Sequence, residues 1–344
     1  MQTNRQQLID ILTAVKPGLA NKEILEQSTS FIFAAGKVLT YNDEVSVQHP
    51  LPDSLRLEGA VAAKELFALL NKLPDEEIDL ETTENELVVK GKKTKAGIRL
   101  QVATTVEETL RVLGDPQDWI PLPEKFLEAI GFCLFSTGRD MTKPMLTCVC
   151  VDGGDVVSSD DRRITRFMFP AESSIQMMLI PATSAKALQA YPVTEYALTK
   201  GWLHFRTEDD VVFSCRGVEG QYPVDKIITI LDRADGESVK LPTGLAETLE
   251  RAGVFSTGAS KIDVGNRVKL SLTEGQLVVR GESEAGWLEE INRVRYKGPD
   301  IEFEVSADFL QAILAHSGDM VVGENLLKFA GDDFVHVVSV MGRK

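Results

Sequence analysis

The side chains that could carry chemistry are four cysteines (Cys133, Cys148, Cys150 and Cys215), four histidines (His49, His204, His316 and His336) and two adjacent acidic pairs, Asp160–Asp161 and Asp209–Asp210. A zinc site needs thiolates and imidazoles at short, fixed ligand spacing, and no histidine here stands at such a spacing from a cysteine. Cys148 and Cys150 alternate within an apolar stretch, which puts both on one face of a strand as buried, reduced thiols. That usage fits a reducing cytoplasm. The acidic pairs have the oxygen ligands a hard cation requires, but each falls in a polar turn between strands with no third ligand at a recognisable distance. The motifs G-x-x-x-x-G-K-[ST], H-E-x-x-H and G-x-S-x-G are absent. The sequence therefore predicts neither an enzyme nor a protein with a metal or cofactor.

The 344 residues, 43% of them hydrophobic, are those of a globular protein too long for one core, with two or three domains expected. Apolar runs such as Phe132–Phe135 and Met177–Ile180 are far too short to span a bilayer, and the amino-terminal MQTNRQQLID lacks a signal core. The formal net charge of -15 argues against a protein that holds nucleic acid by broad electrostatic attraction. Any role on DNA must come from local charge arrangement or from topology.

The elements repeat. Segments 7–15, 125–135 and 244–254 place apolar residues three and four apart, and Leu8, Phe126 and Leu245 recur at offsets of 118 and 119. A second helical trio, AAKELFALL (62–70), SAKALQAYP (184–192) and SADFLQAIL (306–314), recurs at 122 and 122. Between them lie hairpin patterns, FIFAAGKVLTYN, CVCVDGGDVVSSD and KLSLTEGQLVVRG, each an apolar strand, a Gly-containing turn and an apolar strand. A further meander follows each second helix, so the unit reads helix, meander, helix, meander, three times over. This gives an α+β chain of three modules, each two helices packed on antiparallel sheets, at 1–112, 117–232 and 236–344. The connectors fall near 105–119 and 229–240.

On these residues the chain resembles the beta subunit of bacterial DNA polymerase III, the sliding-clamp family, over essentially its whole length. The stretch 139–167 is similar to the family's middle-domain signature, with Ser159-Asp160-Asp161-Arg162-Arg163-Ile164 where Thr-Asp-Gly-His-Arg-Leu is usual. EGQYPVDKIITI (219–230) resembles its Glu-Gly-Gln-Phe-Pro segment, 73–91 and 266–279 its hairpins, and HVVSVMGRK (336–344) its carboxyl-terminal strand. The resemblance implies a head-to-tail homodimer, a ring of six modules that encircles double-stranded DNA and tethers a polymerase without catalysis. Formal charges over the six helical segments cancel, so the rest of the chain carries the whole negative charge. A neutral inner wall inside an acidic exterior suits weak, salt-sensitive sliding contact.

The same resemblance implies a hydrophobic peptide-binding pocket. Its wall would be Ser159, Asp161, Arg162, Arg163 and Ile164, then Pro223, Ile227 and Ile228, then Val337, Val338, Ser339, Val340 and Met341. The implied partners are the DNA polymerase III alpha subunit, the clamp loader with its delta subunit, and other proteins bearing clamp-binding motifs. DNA contact would fall to Lys22, Arg139 and Lys143, and the dimer interface to Ile98, Val254 and Phe255, the last group following a long loop at 91–97. Asp161, Arg162 and the Gly342-Arg343-Lys344 tail depart from the family pattern. They leave open an accessory clamp of phage or plasmid type that serves its own polymerase or competes for host partners. Localisation would be cytoplasmic, at the nucleoid.

Overall fold

Leu8, Ile9, Ile11, Leu12 and Val15 are all buried on one stripe of helix α1 (Arg5–Val15), and Asn4 caps it by accepting from the Gln7 amide at 3.0 Å. The same logic produces α2 (Ala63–Lys72), α3 (Val106–Leu113), α4 (Phe126–Cys133), α5 (Ala182–Leu188), α6 (Val224–Asp232), α7 (Leu245–Gly253) and α8 (Ala307–Leu314) in this computed structural model. The structure describes residues 1–169, 175–256 and 266–342. Six of these helices stand where the two repeated trios place them. Of the other two, α3 occupies a stretch expected as a connector, and α6 begins in the 219–230 segment and overlaps only the start of the second connector. In α3 the charges Glu107, Glu108 and Arg111 hide an apolar series Val106, Leu110, Leu113, closed by Gly114 at φ 75.

Two compact units form. The first comprises Met1–Pro123 and Ile180–Glu219, the second Glu124–Leu179 and Gly220–Lys344, so the segment expected as a middle module contributes to both. The first unit contains a twelve-stranded antiparallel sheet. Its order is Gln2–Asn4, Glu77–Thr82, Glu86–Lys90, Lys95–Gln101, Gly59–Ala62, Ser30–Ala34, Lys37–Tyr41, Val45–Pro50, Val212–Arg216, Trp202–Thr207, Val193–Thr199, Ile120–Pro121. Helices α1 and α2 pack together. The 91–97 segment is a tight turn rather than a long loop, since Lys90 already pairs with Lys95.

The second unit has an eight-stranded sheet, ordered Ile175–Pro181, Cys148–Gly153, Asp155–Ser159, Arg163–Met168, Phe334–Ser339, Leu326–Ala330, Asp319–Val322, Glu237–Lys240. A four-stranded sheet orders Gly286–Arg293, Gln276–Ser283, Arg267–Thr273, Ile301–Ser306. One core fuses α7, α8 and both sheets around Leu249, Leu270, Phe303 and Phe329.

The internal repeat extends to strand pairing. Val45–Pro50 pairs with Val212–Arg216 in the first unit, and Arg163–Met168 with Phe334–Ser339 in the second. These ranges differ by 118 and 122 residues, the offsets the helices keep. Equivalent helices α3 and α6 lie 118 apart as well.

Candidate peptide-binding face

Strand alternation decides which expected pocket residues can share a surface. Ile164 pairs with Val337, and Val337 with Lys328, so these three side chains stand on one face of the second unit's sheet. The Lys328 ammonium donates to the Leu231 carbonyl at 3.1 Å, which identifies that face as the one α6 covers. Ser339 follows Val337 on it, as does Arg166, which forms a two-pronged pair with Asp155 at 2.8 and 3.0 Å. Helix α6 brings Ile227, buried, with Ile228 half-buried and Pro223 exposed at its start. Ile164 and Val337 are buried beneath it. The result is an apolar cluster edged by charged groups, of which Ile228 and Pro223 reach the surface, where an aliphatic peptide anchor could meet it.

Arg163, Val338 and Val340 face the other way. Val338 and Val340 belong to the core with α7 and α8, and the Arg163 guanidinium lies 3.8 Å from the Phe309 ring centre and 5.7 Å from that of Phe135. Burial lowers the Arg163 pKa, and Asp160 opposes that shift through a 2.9 Å bond to Nε. Arg163 therefore braces the sheet from behind. Arg166, Asp155, Lys328 and Leu231 were not singled out from the sequence, yet stepping by two from Ile164 reaches Arg166.

The acidic pair beside this face has structural work. Asp160 Oδ1 accepts from the amides of Arg162 and Arg163, both at 3.1 Å, closing the turn. Asp161 holds φ 70 and pairs with Lys143. Arg162 is half-buried, and its carbonyl accepts from the Ser339 amide at 2.7 Å. Ser159 is buried and Met341 half-buried, bridged to Glu304. Among the described residues no three His, Cys, Asp or Glu side chains gather as a metal site. All four cysteines are free and buried, and burial pushes the thiols of Cys148 and Cys150 up to about 11 and about 12, so they are unreactive.

The remaining expected residues are placed as follows. Lys22, Arg139 and Lys143 are exposed, Lys143 being engaged by Asp161. Ile98 is half-buried on Lys95–Gln101. Val254 is 75% exposed, and Phe255 lies against Gly286 at the start of the strand Gly286–Arg293. Arg343 and Lys344 lie outside the described residues. Among the described residues no helix is long and apolar enough to cross a membrane.

No protein-family model matches the chain, and no curated protein matches it in sequence. Solved structures do match. The sliding clamp (DNA polymerase III subunit beta) of Bartonella birtlesii, bound to griselimycin, superposes with a TM-score of 0.85 at 17% identity, covering 99% of each chain. The beta subunit from DNA polymerase of Streptococcus pyogenes gives 0.84 at 20%, and the DNA polymerase sliding clamp of Pseudomonas aeruginosa with ligand 0.83 at 19%, each again over 99% of both chains. From one end to the other, this chain has the fold of the bacterial DNA polymerase III beta subunit, the sliding clamp.

Proposed function

We propose that the chain is a DNA polymerase processivity factor: a non-enzymatic sliding clamp that encircles duplex DNA and tethers replication proteins through the face beneath α6. The observation that carries this reading is the superposition over 99% of both chains. A clamp works by enclosure, so it raises its partner's effective concentration without holding DNA tightly. An acidic chain with neutral repeated helices fits that task.

Three modules at 1–112, 117–232 and 236–344 would become six in a head-to-tail dimer. Two strand edges support this. Among the described residues Lys95–Arg99 lacks a partner on one side, and Gly286–Arg293 pairs on one side alone, with Gln276–Ser283. An unpaired edge is a template for another chain. The first edge follows Lys92 and Lys93 and carries Lys95 and Arg99; on the second, Glu289 and Glu290 are paired with Arg280 and Arg251 of the same chain. Unlike edges favour head-to-tail closure, with Ile98 meeting Val254 and Phe255. Lys22, Arg139 and Lys143 would touch the DNA backbone. The polymerase alpha subunit and the loader's delta subunit would dock at Ile164, Val337, Ile227 and Ile228, in the cytoplasm at the nucleoid.

The test is mass in solution followed by retention on nicked circular DNA. A dimer retained on circles and lost on linearisation is expected; a monomer at micromolar concentration overturns the ring. A second reading, a phage- or plasmid-type accessory clamp, is favoured by identities of only 16–20% to the matched structures and by Asp161 and Arg162 in the signature turn. Loading by a host clamp loader versus a cognate one separates the two.

A further inference from the structure

In the first unit, α3 lies over its sheet as α6 does in the second, but a cavity of about 640 Å³ remains there, lined by Leu39, Val106, Leu110, Leu113, Trp119 and Val212. The volume falls within the range of ligand sites. The helix is held at both ends. At its carboxyl end Thr199 Oγ1 donates to the Leu113 carbonyl at 2.6 Å, and at its start Thr105 Oγ1 donates to Gln27 Oε1 at 3.2 Å. Collapse onto the sheet would break these bonds, so the groove is preformed. Leu110 is 44% exposed at the opening, and the Arg206 guanidinium stacks 4.2 Å from the Trp119 ring centre to floor one end.

Charge selects the occupant. Arg206 is already paired with Glu195, its Nε at 3.0 Å from Oε2. Asp115 and Asp210 line the groove, and the exposed turn holding Asp210 adds Glu208 and Asp209. Lys37 alone stands against them among the lining cations left unpaired by any carboxylate in the structure's described contacts.

We propose that this groove is a second peptide-binding site, for a short linear peptide with aliphatic anchors flanked by Lys or Arg. Its class of occupant rests on the clamp reading, because the repeat makes it the counterpart of the face beneath α6. The apolar floor takes the anchors, and the acidic rim takes the basic flanks and rejects acidic peptides.

The test is selection of a random dodecapeptide library on the intact chain, with binding measured for Leu110→Glu, for Asp115→Asn/Asp210→Asn and for Ile228→Glu. Asn tolerates the positive φ of position 210, and both Leu110 and Asp210 are exposed enough for the variants to fold. Expected are peptides rich in Leu or Ile with Lys or Arg, weakened at least about tenfold by Leu110→Glu. The double Asn variant should weaken them about threefold or more and flatten their salt dependence. Ile228→Glu should leave them unchanged. Enrichment of acidic peptides, peptides sensitive only to Ile228→Glu, no enrichment, or a dimer that Leu110→Glu disrupts would each overturn the proposal. Retention on circular DNA is read separately on the same variants, so loss of the ring reading and loss of this site are distinguishable.

Discussion

Two faces of the molecule are built to one plan and finished differently. In both units a helix of the same repeat register, α3 or α6, lies against the sheet, and in both the last turn is pinned by a side chain of the sheet. Beneath α6 the pin is the Lys328 ammonium on the Leu231 carbonyl. Beneath α3 it is a neutral relay. Because Thr199 Oγ1 donates to Leu113, it must accept from Nε2–H of His204 at 2.8 Å, and His204 Nδ1 then accepts from Ser214 at 2.8 Å. A repeat conserves where helices go; what fills the gap beneath them is free to change, and with it the partner.

The largest difference should appear on deleting the anchoring leucines, which are repeat-equivalent and each 2% exposed. Leu231→Ala should cost about 3 kcal/mol, whereas Leu113→Ala, at the edge of an existing cavity, should cost about 2. Hydrogen exchange of α6 and α3 amides, read helix by helix, checks this. Equal costs would mean that the cavity does not soften its surroundings.

Acid should break the comparison in a second way. Burial lowers the His204 pKa from 6.5 to about 4. Between those values the unfolded imidazole binds a proton that the folded one does not. The stabilisation is complete above pH 6.5 and is lost as the pH falls toward 4, to a total of about 3 kcal/mol. Arg206, Asp115 and Asp210 share the cavity with His204. Exchange at α3 should therefore rise as the pH falls from 6.5 toward 4. His336 on the second unit's sheet, lowered to about 3 by burial, gives that unit an acid loss that begins at the same pH, so the first unit's loss levels off near pH 4 while the second's continues lower. Removing the relay alone is the milder form of the same experiment. Thr199→Val removes one donor from the Leu113 carbonyl and an acceptor from His204, and should cost about 1.5 kcal/mol, against about 1 or less for Lys328→Met on a partly exposed pin.

How much of this was visible in the residues follows from what each signal encodes. The six repeated helices and their hairpins were legible because apolar spacing and turn residues are local. Helices α3 and α6 were not, since VEETLRVL carries charge and lies beside Gly114-Asp115-Pro116, which together read as a connector. The pocket motif names Arg163 and Ile164 together, yet on the strand Arg163–Met168 neighbours face opposite ways, Arg163 across from Val338 and Ile164 across from Val337. The cavity beneath α3 had no signature, because a void is a property of packing and not of sequence.

The smallest expected effect tests whether the repeat also fixes backbone conformation. Before α7 the chain turns through Gly244 at φ 93; at the equivalent place before α4 stands Lys125 at φ 63. An L-residue in the left-handed region costs about 1 kcal/mol relative to glycine. Lys125 recovers part of that through its ion pair with Asp333, but both side chains reach solvent, which screens the pair. Glycine also adds freedom to the unfolded chain, which opposes the gain. Lys125→Gly should therefore change stability by less than about 1 kcal/mol, and Lys125→Gly/Asp333→Asn should match Lys125→Gly alone, whereas Asp333→Asn in the parent should destabilise slightly. If Lys125→Gly costs more than about 1 kcal/mol by denaturant midpoint, the ion pair and not the backbone sets this turn, and the two repeats have solved the same corner by different means.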